Sequence, residues 1–143
     1  MWQNYDEDEI DAQGLRPLTI LNVGYMENTL RSGIFGADGV NEGTEHLWGN
    51  NPLSEVNHLG LEAWESQNIE GLALHRLEVT DKVLDEYGYR EYFDLCFPEF
   101  PVDERYSVKT ASFALGAYLR DVLASEAPLQ NFLKGNDAAL TEM

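Results

Sequence analysis

Basic residues and cysteine are scarce in this sequence of 143 residues. Nine Lys and Arg stand against 26 Asp and Glu, so the formal net charge is −17. Nucleic-acid binding draws on clustered Lys and Arg, and this balance therefore argues against a nucleic-acid partner. The acidity is compatible with high solubility, with metal cations or with a basic partner. Cys96 is the single cysteine, which excludes an internal disulfide.

Long apolar runs and familiar catalytic motifs are also absent. No stretch approaches the roughly 20 apolar residues that a membrane helix needs. The acidic start of the chain lacks the pattern of a signal peptide. There is no Gly-x-Ser-x-Gly and no His-Glu-x-x-His, and the three histidines do not follow the spacing of a zinc site. We therefore expect no membrane span and no metal site.

The composition is that of one folded domain. Hydrophobic residues make up 43% of the chain, and three Trp, seven Tyr and six Phe are present. Residues 1–14 are predicted to form a solvated acidic arm, and residues 15–143 a single domain. The arm carries a run of carboxylates that lacks the glycine and ligand spacing of a calcium loop: Asp6, Glu7, Asp8, Glu9 and Asp11.

The clearest helix is predicted from Ser107 to Ala124, with Ser107 as N-cap and an end near Ser125. Its apolar residues recur every three or four positions and are predicted to face the core: Ala111, Ala114, Leu115, Tyr118, Leu119, Val122 and Leu123. The small Gly116 and Ala117 allow close approach of another helix or of a flat ligand, with helix packing the preferred interpretation. Pro128 opens a short helix that ends at Gly135, and its inward residues are expected to be Leu129, Phe132 and Leu133.

Two further helices precede it. One spans 60–77, with Gly71 as a close-packing notch, and one spans 80–93, capped by Thr80 or Asp81 and broken near Gly88. Three more sets of residues are predicted to pack inside: Leu18, Ile20, Leu21 and Val23 as an apolar anchor; Val83, Leu84, Tyr87 and Phe93; and Cys96 and Trp48. Glycines make 30–57 loop-like. The predicted fold is all-α, with about four helices and long irregular loops.

Several of these stretches together resemble the bacterial di-haem cytochrome c peroxidases and their methylamine-utilisation-type relatives. The matching C-terminal residues are Phe97-Pro98, Arg105-Tyr106, Ala117 to Arg120, Ser125, Pro128, Gln130, Leu133 to Gly135 and Ala139 to Thr141. Earlier matches are Arg16, Thr19, Leu21 to Val23, Tyr25, the loop from Leu30 to Asn41, Glu65, Gln67, Gly71, Leu72, His75, Arg76, Tyr89, Arg90 and Phe93. A tryptophan of the family's loop is replaced here by Arg31 or Ser32, which puts electron transfer between two haems in doubt.

The resemblance implies a cytochrome c-like domain of a periplasmic or other extracytoplasmic oxidoreductase. Such a peroxidase reduces hydrogen peroxide with electrons from a small cytochrome or cupredoxin, carries haem c and can hold calcium. It implies Gln67 and Glu65, with Glu78 as a further candidate, at the open face of the haem, where a carboxylate moves a proton between the peroxide oxygens. Arg16, Asn22 and Tyr118 would surround the cofactor. His75 could ligate iron or meet a propionate, although a helix-end histidine is the preferred interpretation.

No Cys-x-x-Cys-His is present, so this chain cannot attach haem c covalently. Three interpretations stay open. The chain is a segment of a peroxidase whose haem motifs lie elsewhere, making the remainder of a split peroxidase its partner. It is a degenerate, non-catalytic relative acting as an acidic binding or structural subunit. Or only the fold is similar, and the chain is an acidic interaction domain.

Overall fold

The computed structural model describes residues 18–140; the predicted acidic arm and Arg16 lie outside this range. The described residues form an all-α structure without strands, and four helices have at least 7 residues. The α-helices are α1 (Ala63–Leu74), α2 (Asp81–Glu86), α3 (Arg90–Cys96), α4 (Val102–Arg105), α5 (Val108–Asp121) and α6 (Pro128–Leu133). Short 3-10 helices cover Val23–Tyr25, Gly39–Asn41, Glu45–Asn50, Pro52–Leu59 and Asp137–Ala139. None of the helices found between residues 18 and 140 is both long and apolar enough to cross a bilayer.

Local sequence signals set several helix ends as predicted. The Ser107 hydroxyl accepts a hydrogen bond from the Thr110 amide (3.3 Å), and the Thr110 hydroxyl accepts one from the Ser107 amide (3.1 Å). This reciprocal pair is a capping box, which satisfies two donors that a helix start leaves unpaired. Thr80 caps α2 with a single hydrogen bond, which its hydroxyl accepts from the Val83 amide (3.3 Å). Gly88, at φ 70°, separates α2 from α3, so the predicted break is confirmed.

The predicted loop over 30–57 contains three 3-10 helices and is held by asparagine side chains. Asn57 is fully buried; its amide oxygen accepts from the Gly36 amide (2.9 Å), and its amide nitrogen donates to the Ile34 carbonyl (2.8 Å). Asn41 donates to the carbonyls of Gly33 and Gly36, both at 2.8 Å. In this segment, hydrogen bonds from side-chain amides take the place of the regular backbone hydrogen bonds of a helix or sheet. They satisfy backbone groups that are buried.

The apolar core is small and is drawn from α1, α2 and the segments before α1. Trp64 is buried and donates from its indole to the Val23 carbonyl (3.0 Å), which ties α1 to the segment before it. Trp48 is buried as predicted and meets the edge of His58 at 5.1 Å. The buried apolar side chains of the described residues are Val23, Phe35, Trp48, Val56, Ala63, Trp64, Leu72 and Leu84.

An aromatic series joins α3 to α5. Phe93 packs against Phe97 and Tyr106, with ring centroids 5.7 and 6.2 Å apart. Phe97 continues to Phe100 at 6.0 Å, and Phe100 reaches Phe113 of α5 at 6.1 Å. Because each ring contacts the next at its edge or tilted, the series fixes which face of α3 turns inward.

The predicted set of inward-facing apolar residues is wrong at many positions. The following are exposed: Leu18, Ile20, Leu21, Tyr87, Cys96, Ala114, Leu115, Tyr118, Leu123, Leu129, Phe132 and Leu133. Cys96 is therefore not a buried thiol. In α5 the buried residues are the small Thr110, Ser112 and Gly116. The three- and four-residue spacing identified the apolar stripe of α5. It does not determine which neighbouring element covers that stripe.

We predict that Asn57→Ala destabilises the fold by about 2 kcal/mol, because it leaves the Gly36 amide and the Ile34 carbonyl without their partner. Asn50→Ala, at an exposed position, should change the free energy of unfolding by less than about 0.5 kcal/mol. Urea denaturation measures both. Equal effects from the two variants would contradict the role given to Asn57.

A second prediction concerns the pKa of Asp94. The Tyr106 hydroxyl and then the Arg105 guanidinium, which donate to its carboxylate, hold this pKa below its usual value. A lowered folded pKa adds stability above the ordinary carboxyl value near 3.9, and that stability is lost as the pH falls through the folded pKa. Tyr106→Phe should raise the pKa of Asp94 in a carboxyl NMR titration. Tyr87→Phe should leave it unchanged, and a Tyr106→Phe value identical to wild type would exclude the bond.

Candidate functional site

The candidate site is the junction of α1 and α5, the two longest helices, which pack against each other. Gly116 of α5 lies directly against the carboxylate of Glu65 on α1, and a side chain added at Gly116 would overlap that carboxylate. The expected close approach at Gly116 is therefore confirmed. The group that lies in the space above Gly116 is the Glu65 carboxylate of α1. The notch predicted at Gly71 is wrong, because nothing lies within 4 Å of the space its side chain would take.

An ion pair closes this junction. Arg120, one turn after Gly116, binds both oxygens of Glu65, with Nη2 2.8 Å from Oε2 and Nη1 in contact with Oε1. Nη2 also reaches Glu62 at 2.5 Å. The Glu65 side chain is 10% exposed and that of Arg120 34%. A bidentate pair of this kind satisfies a buried carboxylate that would otherwise be costly.

The Arg120 guanidinium is the fixed positive charge of this pair. The hydrogen bonds and the charge of Glu65 hold the pKa of the Arg120 guanidinium above its ordinary value, with a smaller contribution from Glu62. The guanidinium therefore stays protonated at any physiological pH. As a result, the Glu65 carboxylate is occupied by Arg120 and is aligned by it, while Gly116 leaves the room that this alignment needs.

Two recesses open beside the junction. A recess of about 330 Å³ lies between the start of α1 and α5, lined by Leu61, Glu65, Phe113 and Arg120 among others. A wider cleft of about 560 Å³ lies on the other side of Glu62 and is lined by Tyr25, Met26, Trp64 and four carboxylates. Those carboxylates are Glu27, Asp38, Glu42 and Glu62. Both recesses are wide open to solvent, and neither encloses a ligand-sized space.

The residues predicted from the family resemblance fall in different places. Asn22 lies at the end of α5, where its backbone amide donates to the Val122 carbonyl (2.9 Å) and its side-chain oxygen accepts from the Ala124 amide (2.8 Å). Its left-handed backbone (φ 62°) is one that asparagine tolerates better than most residues. Asn22 is thus engaged in joining the N-terminal segment to α5.

The other candidates lie on or near α1 and α5. Gln67 is on α1, and its amide oxygen is buried without a hydrogen-bond partner. Glu78 and His75 are exposed after the last turn of α1, where His75 occupies the C-cap position. Tyr118 is 60% exposed on the outer face of α5. The structure places Glu65 at the ion pair and shows no contact that joins Gln67, Glu78, His75 or Tyr118 to it.

Sequence reasoning missed Arg120 as a site residue, although it identified the Ala-Tyr-x-Arg pattern that contains it. The spacing of Gly116 and Arg120, one turn apart on one face, is a signal that could have found the notch and its closing cation. Within residues 18–140, no group of three or more His, Cys, Asp or Glu could hold a metal ion.

Comparison with known proteins finds no match to this chain among family models, curated proteins or solved structures.

The close contact at Gly116 leads to a prediction, and Gly71 provides the matched control. Gly71→Ala, in open space within α1, should stabilise the protein by about 0.5–1 kcal/mol through helix propensity. Gly116→Ala gains the same propensity but displaces the Glu65 carboxylate from Arg120, and it should be destabilising by about 1–3 kcal/mol relative to Gly71→Ala. Urea denaturation measures the difference.

The cause of that difference is tested in a Glu65→Ala background, where the carboxylate is gone and Gly116→Ala should become neutral or stabilising. If Gly116→Ala costs the same with and without Glu65, the carboxylate is not what fills the notch.

Proposed function

We propose that this chain is a segment of a di-haem cytochrome c peroxidase-like protein, and that the outer face of α5 covers a haem carried by other parts of that protein. The observation that carries the proposal is the orientation of α5. Thr110, Ser112 and Gly116 are buried, whereas Leu115 and Tyr118 are 39% and 60% exposed, and Leu123, just after the helix, is 41% exposed. This arrangement leaves two large apolar residues of the helix, Leu115 and Tyr118, partly uncovered by the described part of the chain.

The apolar outer face of α5 is suited to contact a flat apolar partner. Burying one large apolar side chain contributes about 1.5–3 kcal/mol, so several left in water represent a substantial unused driving force. Contiguous exposed apolar surface commonly marks an interaction site. Ala114 and Ala117 on the same exposed side of α5 add little bulk, which lets a planar group lie close to the helix.

Covalent haem attachment does not fit the residues of this chain. A c-type haem needs two thiols and a histidine in Cys-x-x-Cys-His, and Cys96 is the only cysteine and is followed by Phe97. We therefore assign no catalytic step through a haem held by this chain. What its residues offer is a surface and a positioned polar group: Glu65 is fixed by Arg120, and Gln67 presents a buried acceptor that no side chain satisfies.

In the family that this chain resembles, the complete enzyme reduces hydrogen peroxide with electrons from a small cytochrome or cupredoxin in an extracytoplasmic compartment. The resemblance gives Gln67 and Glu78 as candidates for the open face of the haem, but they lie on and after α1 and not on the outer face of α5. Glu65 is less available to a substrate, because both of its carboxylate oxygens already accept hydrogen bonds from Arg120.

A second candidate function is that of a non-catalytic acidic subunit. The net charge of −17 favours it, and so does the exposed Arg31 or Ser32, one of which stands where the family has a loop tryptophan. Both candidates predict that the purified haem-free chain shows no peroxide-dependent oxidation of an electron donor. Measurable turnover would contradict both.

Haem titration separates the two. We predict that added ferric haem shifts its Soret absorbance in the presence of the chain, and that Tyr118→Ser weakens binding about five- to tenfold by removing apolar contact. Tyr87→Ser, at 65% exposure away from α5, should leave the affinity unchanged. Circular dichroism checks that both variants stay folded.

The proposal fails if no Soret shift occurs with the wild-type chain. It also fails if Tyr87→Ser weakens binding as much as Tyr118→Ser, since haem would then adsorb to any exposed aromatic. The first outcome favours the non-catalytic subunit.

A further inference from the structure

Helix α3 has two apolar faces, and only one of them is covered. Phe93 and Phe97 turn inward to the aromatic series, and Arg90 packs over the Tyr106 ring at 4.7 Å. The opposite side carries Tyr92, Leu95 and Cys96, spaced three and four residues apart and all exposed. Tyr92 is 65% and Leu95 77% exposed. We call these three residues the α3 stripe.

The charged side chains on and just after α3 that have no ion-pair partner are carboxylates. The cations of this region are already paired: Arg90 binds Asp81 and Asp85 (2.6 and 2.5 Å), and Arg105 binds Asp94 (2.8 Å). Glu91, one turn before Leu95, and Glu99, just after α3, make no ion pair within the described part of the chain. A partner that covers the α3 stripe would therefore meet two carboxylates that are not already paired with a cation.

We propose that the α3 stripe, with Glu91 and Glu99, is a docking surface for a basic amphipathic segment of another protein. The apolar side chains of that segment would cover Tyr92 and Leu95, while its Lys or Arg would meet the flanking carboxylates. Charge complementarity selects this partner, because an acidic or nucleic-acid partner would be repelled. Exposed apolar residues inside a charged rim have the anatomy of an interface. This inference does not rest on the proposed haem-covering role.

The single cysteine offers a direct test, since Cys96 lies within the stripe and no other thiol competes for a label. The chain is labelled at Cys96 with an environment-sensitive fluorophore and titrated with a synthetic Lys/Leu amphipathic peptide of about 18 residues, five helical turns. A Lys/Ser peptide of equal length and charge serves as the control. At about 150 mM salt we expect the Lys/Leu peptide to bind at least tenfold more tightly.

Unlabelled variants locate the surface by calorimetry. Leu95→Ser should weaken Lys/Leu peptide binding at least fivefold, and Leu133→Ser, 73% exposed on α6, should not. Glu91→Gln should weaken it two- to threefold and reduce its salt dependence, whereas the exposed Glu55→Gln should do neither. Tyr118→Ser should leave peptide affinity unchanged, which keeps this result separate from haem binding.

The docking surface is excluded by any of three results. Equal affinity for the two peptides would mean that net charge alone attracts them. An equal loss with Leu133→Ser would place the contact elsewhere. An absence of binding to the wild-type chain would remove the surface altogether.

Discussion

The Glu65–Arg120 ion pair, seated against Gly116, decides how the two longest helices meet. A carboxylate that is 10% exposed must be compensated, and Arg120 supplies both charge and two hydrogen bonds. The guanidinium reaches Glu65 only if α5 presents Gly116 and Arg120 to α1 on the same face. Because the pair fixes the rotation of α5 about its axis, it also fixes what the other face of α5 shows to its surroundings.

That rotation has a functional consequence. With Thr110, Ser112 and Gly116 inside, the larger Leu115 and Tyr118 are turned outward. The α3 stripe arises in a similar way, since the aromatic series anchors one side of α3 and leaves the other uncovered. The described residues thus bury a modest apolar core and present two apolar surfaces of different character. The face of α5 is nearly uncharged, and that of α3 is bordered by carboxylates.

The approximate helix positions and several helix starts could be predicted from the sequence, because caps and breakers act locally, but α5 ends at Asp121 and not near Ser125, and α1 covers only Ala63–Leu74. Ser107, Thr80, Gly88 and Pro128 each set the boundary they were expected to set. The predicted interior failed at Leu115, Tyr118, Phe132 and Cys96, since periodicity identifies a stripe but not the neighbour that covers it. Gly116 was recognised as a point of close approach, yet its partner Glu65 lies far away in sequence. No local pattern joins a glycine to a carboxylate 51 positions before it.

Family resemblance supplied candidate residues, and the structure shows how far each is available. Glu65 and Asn22 are engaged in holding elements together, whereas Gln67 keeps an unsatisfied acceptor and Tyr118 is exposed. The assignment of a haem-covering role therefore depends on the outer face of α5 and not on a preformed cluster of catalytic side chains.

The orientation of α5 is tested most directly by thiol accessibility in a Cys96→Ser background. Leu115→Cys and Ser112→Cys place a single thiol on the outer and inner faces of the same helix. The account predicts that the partly exposed Leu115→Cys thiol reacts with a maleimide at least about tenfold faster than the buried Ser112→Cys thiol. Protection at position 115 and rapid reaction at position 112 would contradict it.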